Sequence, residues 1–314
     1  MPTLAKDERH RGISGVSAGL FASFLLGWAP ILGKFAYRAN VSPMTLASLR
    51  TVMAALFLWI VTLIWWRRRV RITWRGLLNC FLVGAVNGIG SLFYYNGLDR
   101  LDASRAALLG ALYPVWVVIY LSASGQHIRL GTLAQLLGSM VGAVLVTSPW
   151  TMGNPADFLG ATLMIASAAV NGWYIVMGQW VLADVPSQSG TLYIMTGMAV
   201  TVLGAQLIGG ELVIAGIAMG GWQAIAALGL TTALSRMAMF FSLETLGGVQ
   251  TAILSLVELA ISLTLAFIFL GDRLYWYQWL GAALLLGGGL LARLRTESQA
   301  RVGTAFDPVA ASGK

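Results

Sequence analysis

Long apolar runs with almost no charge recur from one end of this chain to the other. Each run has about 18 residues or more, which is enough to cross a hydrocarbon layer roughly 30 Å thick as an α-helix. Charged residues make up only 10% of the 314 residues, so a water-soluble fold of this size would lack the polar surface that it needs. The chain is therefore predicted to be an integral membrane protein.

Helices are the predicted spanning elements. Backbone polar groups in lipid are satisfied either within a helix or in a closed barrel, and the short alternating strands of a barrel are not found in the sequence. The first apolar run is too long for a signal peptide and shows no small-residue cleavage site, so we expect it to remain as the first helix. We place ten spans at residues 13–36, 44–66, 76–97, 103–123, 130–149, 158–180, 189–209, 220–242, 248–270 and 276–293.

The positions of lysine and arginine predict which way the spans run. A net charge of +8 would suggest nucleic-acid binding in a soluble protein, but most basic residues lie beside spans, so we expect no nucleic-acid partner. Outside segments hold Arg38, Arg100 and Arg273, and the inside segments hold Lys6, Arg9, Arg11, Arg67, Arg68, Arg69, Arg71, Arg75, Arg129, Arg293, Arg295, Arg301 and Lys314. This bias predicts a multi-pass protein of the inner (cytoplasmic) membrane with both termini in the cytoplasm.

An internal repeat relates the two halves of the sequence. A shift of 145 residues brings Gly27-Trp28 onto Gly172-Trp173 and Gly84 onto Gly229, at similar depths in corresponding spans. Five spans per copy is an odd number, so the second copy enters the membrane from the opposite side. Inverted repeats recur in secondary transporters, which hold a solute near the midplane where the copies meet.

The predicted fold class is all-α integral membrane, with ten transmembrane helices arranged as two inverted five-helix repeats. Four parts are expected: a cytoplasmic N-terminal segment (1–12), the first repeat (13–149), the second, inverted repeat (150–294) and a disordered cytoplasmic tail (295–314).

Several stretches resemble one transporter family. The sequence LLGALYPVWVV, Leu108 to Val118, follows YYNGLDRLDASRAA and resembles the fourth helix of the drug/metabolite transporter (DMT) superfamily, EamA type. Gly27-Trp28 followed by Lys34 is similar to the first-helix pattern of that family, and Arg50 in LASLRTVMAAL resembles its second-helix arginine. SLVELAISLTLAFIFLGDRL resembles the ninth helix and the turn after it. The resemblance extends from about Gly19 to Leu291.

The sequence departs from the family pattern at three places. Glu258-Leu259 stands where the family often has Glu-Pro, and Gly125-Gln126 and Gly271-Asp272 stand where Gly-Glu is usual. The resemblance implies a ten-helix carrier with two inverted repeats and a central cavity. Within the superfamily, exporters of small amino acids and metabolites, including aromatic amino-acid exporters, are the most similar.

The apolar stretch around Pro114 is expected to bend, because proline removes the hydrogen bond to the carbonyl group of Gly110. The freed carbonyl faces either a solvated cavity or neighbouring protein. Tyr113, Trp116 and Tyr120 share one face of this helix. Further aromatic residues lie within spans, either as cavity walls or as packing between helices: Trp28, Tyr94, Tyr95 and Trp173.

Two amides lie at mid-span, Asn87 and Asn171. Each can donate and accept hydrogen bonds, so it either orients a solute in an apolar pocket or joins two helices.

Four ionisable residues inside spans are the remaining candidates, because each costs roughly 2.5–3.5 kcal/mol at a helix centre and is therefore expected to face the bundle interior. Lys34 lies near an outer helix end, where snorkelling is the alternative to a charge or gating role. Arg50 and Arg236 lie roughly 9 Å deep, which snorkelling explains less well. Glu258 lies mid-span and either pairs with a base, binds an ammonium group of a solute or carries a proton.

The predicted function is secondary transport of small metabolites, amino acids above all and aromatic or hydrophobic ones among them, outward by alternating access through a central cavity. Export of cationic drugs or nucleosides and a channel-like facilitator are the alternatives. No phosphate-binding loop of the Gly-x4-Gly-Lys-Ser/Thr form is present, and no His/Asp/Glu cluster or Ser-His pairing points to an enzyme. We expect no cofactor or metal, a small-molecule substrate, membrane lipid as surroundings, and a monomer or weak homo-oligomer.

Overall fold

The computed structural model describes residues 2–65, 67–70, 72–123, 138, 141–142, 144–146, 155–209, 216–246 and 248–284. The regular elements in these ranges are all helical. The first half contains α1 (Pro2–Gly27), α2 (Ala29–Arg38), α3 (Pro43–Trp65), α4 (Trp74–Arg100), α5 (Ala103–Gly110) and α6 (Tyr113–Ala123). The second half contains α7 (Pro155–Asp184), α8 (Ser187–Gly209), α9 (Met219–Leu246), α10 (Gly248–Leu265), a π-helical turn (Ala266–Leu270) and α11 (276–284).

Within the described ranges, seven helical segments are long and apolar enough to cross a membrane, and Val257–Leu270 is a shorter apolar helix. The seven are Ser14–Arg38, Pro43–Trp65, Trp74–Arg100, Ala103–Tyr120, Pro155–Val181, Ser187–Gly209 and Met219–Leu246. They coincide with predicted spans one to four and six to eight. Most of predicted span five (130–149) and the second half of span ten (276–293) lie outside the described residues. The all-α membrane fold is confirmed.

Two of the predicted spans are interrupted near their centres. Span one breaks at Trp28, and α2 starts with Pro30 in its first turn. Proline has no N–H to donate to the preceding turn, which favours a new helix start at this level. Span four is divided between α5, which ends at Gly110, and α6, which starts at Tyr113. The interruption directly precedes Pro114, whose side chain lies outside the described part of the structure.

The helices of the two halves pack against each other in matched pairs. Helix α4 of the first half packs on α7 and α8, and its counterpart α9 in the second half packs on α1 and α3. In the same way, α6 packs on α7 while α10 packs on α1. Each of these contacts therefore has a counterpart in which the equivalent helices of the opposite halves meet. A pseudo-twofold axis that relates the two halves produces this arrangement.

The same correspondence holds for individual residues. A β-carbon on Gly27 would lie 3.2 Å from the carbonyl oxygen of Glu258, and one on Gly172 would lie 3.0 Å from that of Tyr113. Both residues of the second pair are related to those of the first by the predicted shift of 145 residues. A β-carbon at either position would press on the backbone of the neighbouring helix, so glycine permits this close approach. The repeat read from the sequence is thus present in three dimensions.

Large exposed side chains lie on the outer faces and at the ends of the spans. Leu56, Ile60 and Ile64 form an exposed apolar row along α3, as expected of a surface that faces lipid. Exposed tryptophans occupy helix ends, among them Trp65 and Trp276. Tryptophan favours the level of the lipid headgroups, so these residues agree with the predicted limits of the spans.

Candidate functional site

A cavity of about 170 Å³ lies between the two halves of the molecule. Its wall receives residues from both sequence repeats, and it contains five of the predicted binding residues and two of the predicted charged residues. These are Asn87, Tyr94, Tyr113, Asn171 and Glu258, together with Arg50 and Arg236. The structure thus gathers side chains from six of the predicted spans into one space.

Glu258 projects from α10 and lines this cavity. Its carboxylate makes no hydrogen bond and no ion pair with any residue that the structure describes. A charged group at this depth is costly unless it is compensated, so an unpaired carboxylate in a cavity wall is a group available to a ligand.

Arg50 is 6% exposed and bonds to both halves of the protein. It donates to the hydroxyl of Ser91 at 2.5 Å and to that of Thr232 at 3.1 Å. Its guanidinium lies over the ring of Tyr95, 4.6 Å from the ring centroid. Hydrogen bonds and a cation–π contact together hold the buried charge.

Arg236 lies on α9 and is held less firmly. The hydrogen bond that it donates within the described part of the chain goes to the sulfur of Met239, at 3.8 Å, and sulfur is a weak acceptor. Its guanidinium lies 5.0 Å from the ring centroid of Tyr174.

The aromatic part of the described wall comes from the first half. Tyr94 and Tyr113 line the cavity, and the ring of Tyr94 packs edge to face on Tyr95 at 5.1 Å. Asn87 donates to the sulfur of Met198 at 3.5 Å, so it contacts a neighbouring helix while it also lines the cavity. Aromatic faces beside amide groups suit a solute with an apolar or planar part.

Other predicted aromatic residues lie outside this wall, as far as the described residues show. Trp28 contacts Phe269 at 5.5 Å, and Trp116 stacks on Tyr120 at 6.1 Å. Tyr95 is buried beneath Arg50, and Trp173 packs partly buried on a core cluster. In the structure these side chains pack between helices.

Comparison with known proteins assigns the family. The model of the EamA-like transporter family matches the chain twice, over residues 13–148 and 158–294. The chain belongs to this family. The two matches coincide with the predicted repeats, so the resemblance seen in the sequence is confirmed at the level of the EamA-type family, and the aromatic exporter subtype stays a prediction.

The fold of this EamA-like transporter is also found in a solved structure. A crystal structure of a protein 18% identical to this chain superposes with a TM-score of 0.67, over 91% of this chain and 98% of that chain. A comparison with curated proteins gave no match.

Lys34 of this EamA-like transporter lines a second pocket, of about 370 Å³, at the predicted outer end. The pocket also contains three carboxylates, those of Asp99, Asp102 and Asp272. Lys34 therefore has acidic neighbours at the end of its span. It is not among the described residues that line the central cavity.

Sequence reasoning did not single out the hydroxyl groups that the cavity uses. Ser91 and Thr232 hold Arg50, and Ser167 donates to the carbonyl of Gly90 at 2.8 Å. Serine and threonine are common in membrane helices, and by themselves they predict little. The repeat held the missing information, because a shift of 145 residues places Ser91 at the position of Arg236, and Asn87 at that of Thr232.

The described residues contain no group of three or more histidine, cysteine, aspartate or glutamate side chains that would hold a metal ion.

Proposed function

We propose that this EamA-like transporter is a secondary carrier that exports small metabolites, most specifically amino acids with apolar or aromatic side chains, by alternating access through the central cavity. The observation that carries the proposal is a carboxylate without a partner, Glu258, in the same cavity as the weakly bonded guanidinium of Arg236. An amino acid carries an ammonium group, which is opposite in charge to Glu258, and a carboxylate, which is opposite in charge to Arg236.

The charges of the cavity favour a zwitterion over a simple cation. Arg50 and Arg236 contribute two positive charges against the single negative charge of Glu258. A cationic drug would find one compensating carboxylate and two repelling guanidinium groups. Tyr94 and Tyr113 offer aromatic surface for the apolar part of the solute. The proposed outward direction of transport is supported by the resemblance of the sequence to amino-acid exporters.

Uptake into proteoliposomes tests the proposal. The purified carrier is supplied with labelled amino acids, nucleosides and cationic drugs, with and without a pH gradient. Saturable uptake of apolar or aromatic amino acids, recovered chemically unchanged, is the expected result. Saturable uptake of a cationic drug or nucleoside with none of an amino acid would replace the proposed substrate class. Uptake that rises linearly with concentration would favour a channel-like facilitator, and recovery of an altered solute would indicate an enzyme.

A further inference from the structure

The two arginines in the cavity wall differ in how many of their N–H groups already donate hydrogen bonds to the protein. Both terminal nitrogens of Arg50 are engaged, one by Ser91 and one by Thr232. Arg236 donates only to the sulfur of Met239, as far as the described residues show. The Nε–H group of each arginine has no hydrogen-bond partner there. Arg236 therefore has more unused donors than Arg50.

Arg50 holds parts of the protein together. From α3 it reaches Ser91 on α4 and Thr232 on α9, so one side chain joins the two repeats beside the cavity. Its guanidinium also covers the ring of Tyr95, which in turn packs against Tyr94 in the cavity wall. Through Tyr95, the guanidinium of Arg50 thus supports the position of Tyr94 in the wall.

The two repeats carry side chains of different charge at equivalent positions. Arg236 occupies in the second repeat the position that Ser91 occupies in the first, and Glu258 likewise corresponds to Tyr113. At these two pairs of positions, the second repeat supplies the charged side chain and the first supplies a neutral one. Among the residues of the described wall, Arg236 and Glu258 therefore belong to the second repeat, whereas Arg50, Tyr94 and Tyr113 belong to the first.

We propose that Arg236 binds the anionic group of the solute, whereas Arg50 is a positioning residue that orders the tyrosine wall and does not hold the solute. The inference rests on the proposed function and adds an orientation to it. The charged head of the solute lies against Arg236 and Glu258 of the second repeat, and its apolar part lies against Tyr94 and Tyr113 of the first.

Two solutes that differ only in the anionic group test this division. Phenylalanine has a carboxylate, and phenylalanine amide replaces it by a neutral group while it keeps the ammonium group and the ring. The ratio of their KM values in proteoliposomes measures how strongly the carrier prefers the carboxylate. A residue that only supports the structure changes both KM values or both maximal rates by the same factor.

Arg236→Gln is expected to raise the KM for phenylalanine by about tenfold or more, since hydrogen bonds to charged groups contribute about 1.5–3 kcal/mol and each 1.4 kcal/mol is tenfold. The KM for the amide should not rise, because the neutral amide group gives Arg236 no charge to bind and loss of the guanidinium removes a positive charge that repels the solute ammonium group. The preference for the carboxylate then disappears.

Thr232→Val is the matched variant for Arg50, because it removes one acceptor while it keeps the size of the side chain. It should lower the maximal rate for both solutes by one common factor and leave the ratio of KM values unchanged. Arg50→Lys should behave in the same way. If Arg50→Lys does not yield a folded protein by size-exclusion chromatography, Thr232→Val decides the question.

Two outcomes overturn the inference. The carboxylate preference persists in Arg236→Gln, or it is lost in Thr232→Val. Wild-type protein without saturable phenylalanine uptake is a different result, because it removes the proposed function itself. With wild-type uptake established, the variants report on the two arginines alone.

Discussion

Asp272 accepts two hydrogen bonds from Ser104, one from the backbone N–H at 3.0 Å and one from the hydroxyl at 3.1 Å, across a sequence separation of 168 residues. Ser104 lies in the first turn of α5, where backbone N–H groups have no partner within the helix. A carboxylate at this position satisfies such a donor and is favoured by the helix dipole. The contact joins the loop after the π-helical turn to the start of span four, and thus one repeat to the other.

The contact between Asp272 and Ser104 is expected to open during transport, because it closes the predicted outer ends of spans four and nine. We predict that the pair Ser104→Cys and Asp272→Cys, introduced into a Cys80→Ala background, loses transport when a short bifunctional thiol reagent links the two cysteines. Uptake into proteoliposomes before and after the reagent measures the effect.

The Cys80→Ala protein treated with the same reagent is the control and should keep its rate. A fully linked pair that still transports at the control rate would show that this end of the protein does not open.

Glu258→Gln is predicted to lower kcat/KM for amino acids by about tenfold or more, since an ion pair with the solute ammonium group would be replaced by a neutral contact worth at least about 1.4 kcal/mol less. Glu258 has no partner among the described residues, so the folded protein should lose little stability. Initial uptake rates over a range of concentrations measure the change.

Glu244→Gln is the matched control, because Glu244 is exposed and does not line the described cavity wall. Its kinetics should equal those of the wild type. Wild-type kinetics in Glu258→Gln would remove this carboxylate from the site.

Glycines at helix crossings are expected to limit stability. A β-carbon on Gly84 would overlap the backbone of Ile194 and lie 3.0 Å from the nitrogen of Met198, so Gly84→Ala must push α4 away from α8. We expect a loss of about 1–3 kcal/mol, the usual cost of overpacking. Thermal unfolding in detergent should show a lower midpoint.

Gly204 offers the opposite case on α8, because a β-carbon there would meet nothing within 4 Å. Gly204→Ala should raise the midpoint slightly, since alanine is favoured over glycine in a helix by about 0.8–1 kcal/mol. Equal midpoints for the two variants would contradict the close approach of α4 and α8.

Much of the fold was available from the sequence, because lipid imposes simple rules on length and polarity. Spans two and seven, predicted at 44–66 and 189–209, are the helices Pro43–Trp65 and Ser187–Gly209. The break at Trp28 was not predicted, although Pro30 is visible in the sequence. In span one, Pro30 has the effect that was predicted for Pro114 in span four.

The site was only partly predictable, because hydropathy places a residue at a depth but does not fix the direction of its side chain. Tyr113 and Trp116 are three residues apart and were assigned to one face, yet only Tyr113 lines the described cavity wall. Trp116 stacks on Tyr120 and lies against Gly172. The difference depends on which helix packs against this face of α6, and the sequence around Tyr113 and Trp116 does not specify that helix.

The orientation of the chain is a further testable expectation. Thirteen basic residues in predicted inside segments, against three outside, predict that both termini lie in the cytoplasm. A C-terminal fusion to a reporter that is active only in the cytoplasm should be active, and a fusion to a periplasmic reporter should be silent. The reverse pattern would invert the assignment of outer and inner ends throughout.

The central claim is that one solute-binding cavity between two related halves is exposed to each side of the membrane in turn. Counterflow tests it most directly: proteoliposomes filled with unlabelled phenylalanine are diluted into a trace of the labelled amino acid. A carrier of this kind should accumulate label transiently above the equilibrium level. Each molecule of unlabelled solute that leaves the vesicle brings the binding cavity to the outer side, where it can bind labelled solute and carry it inward. Label that rises only to equilibrium, without the transient excess, would contradict alternating access through this cavity.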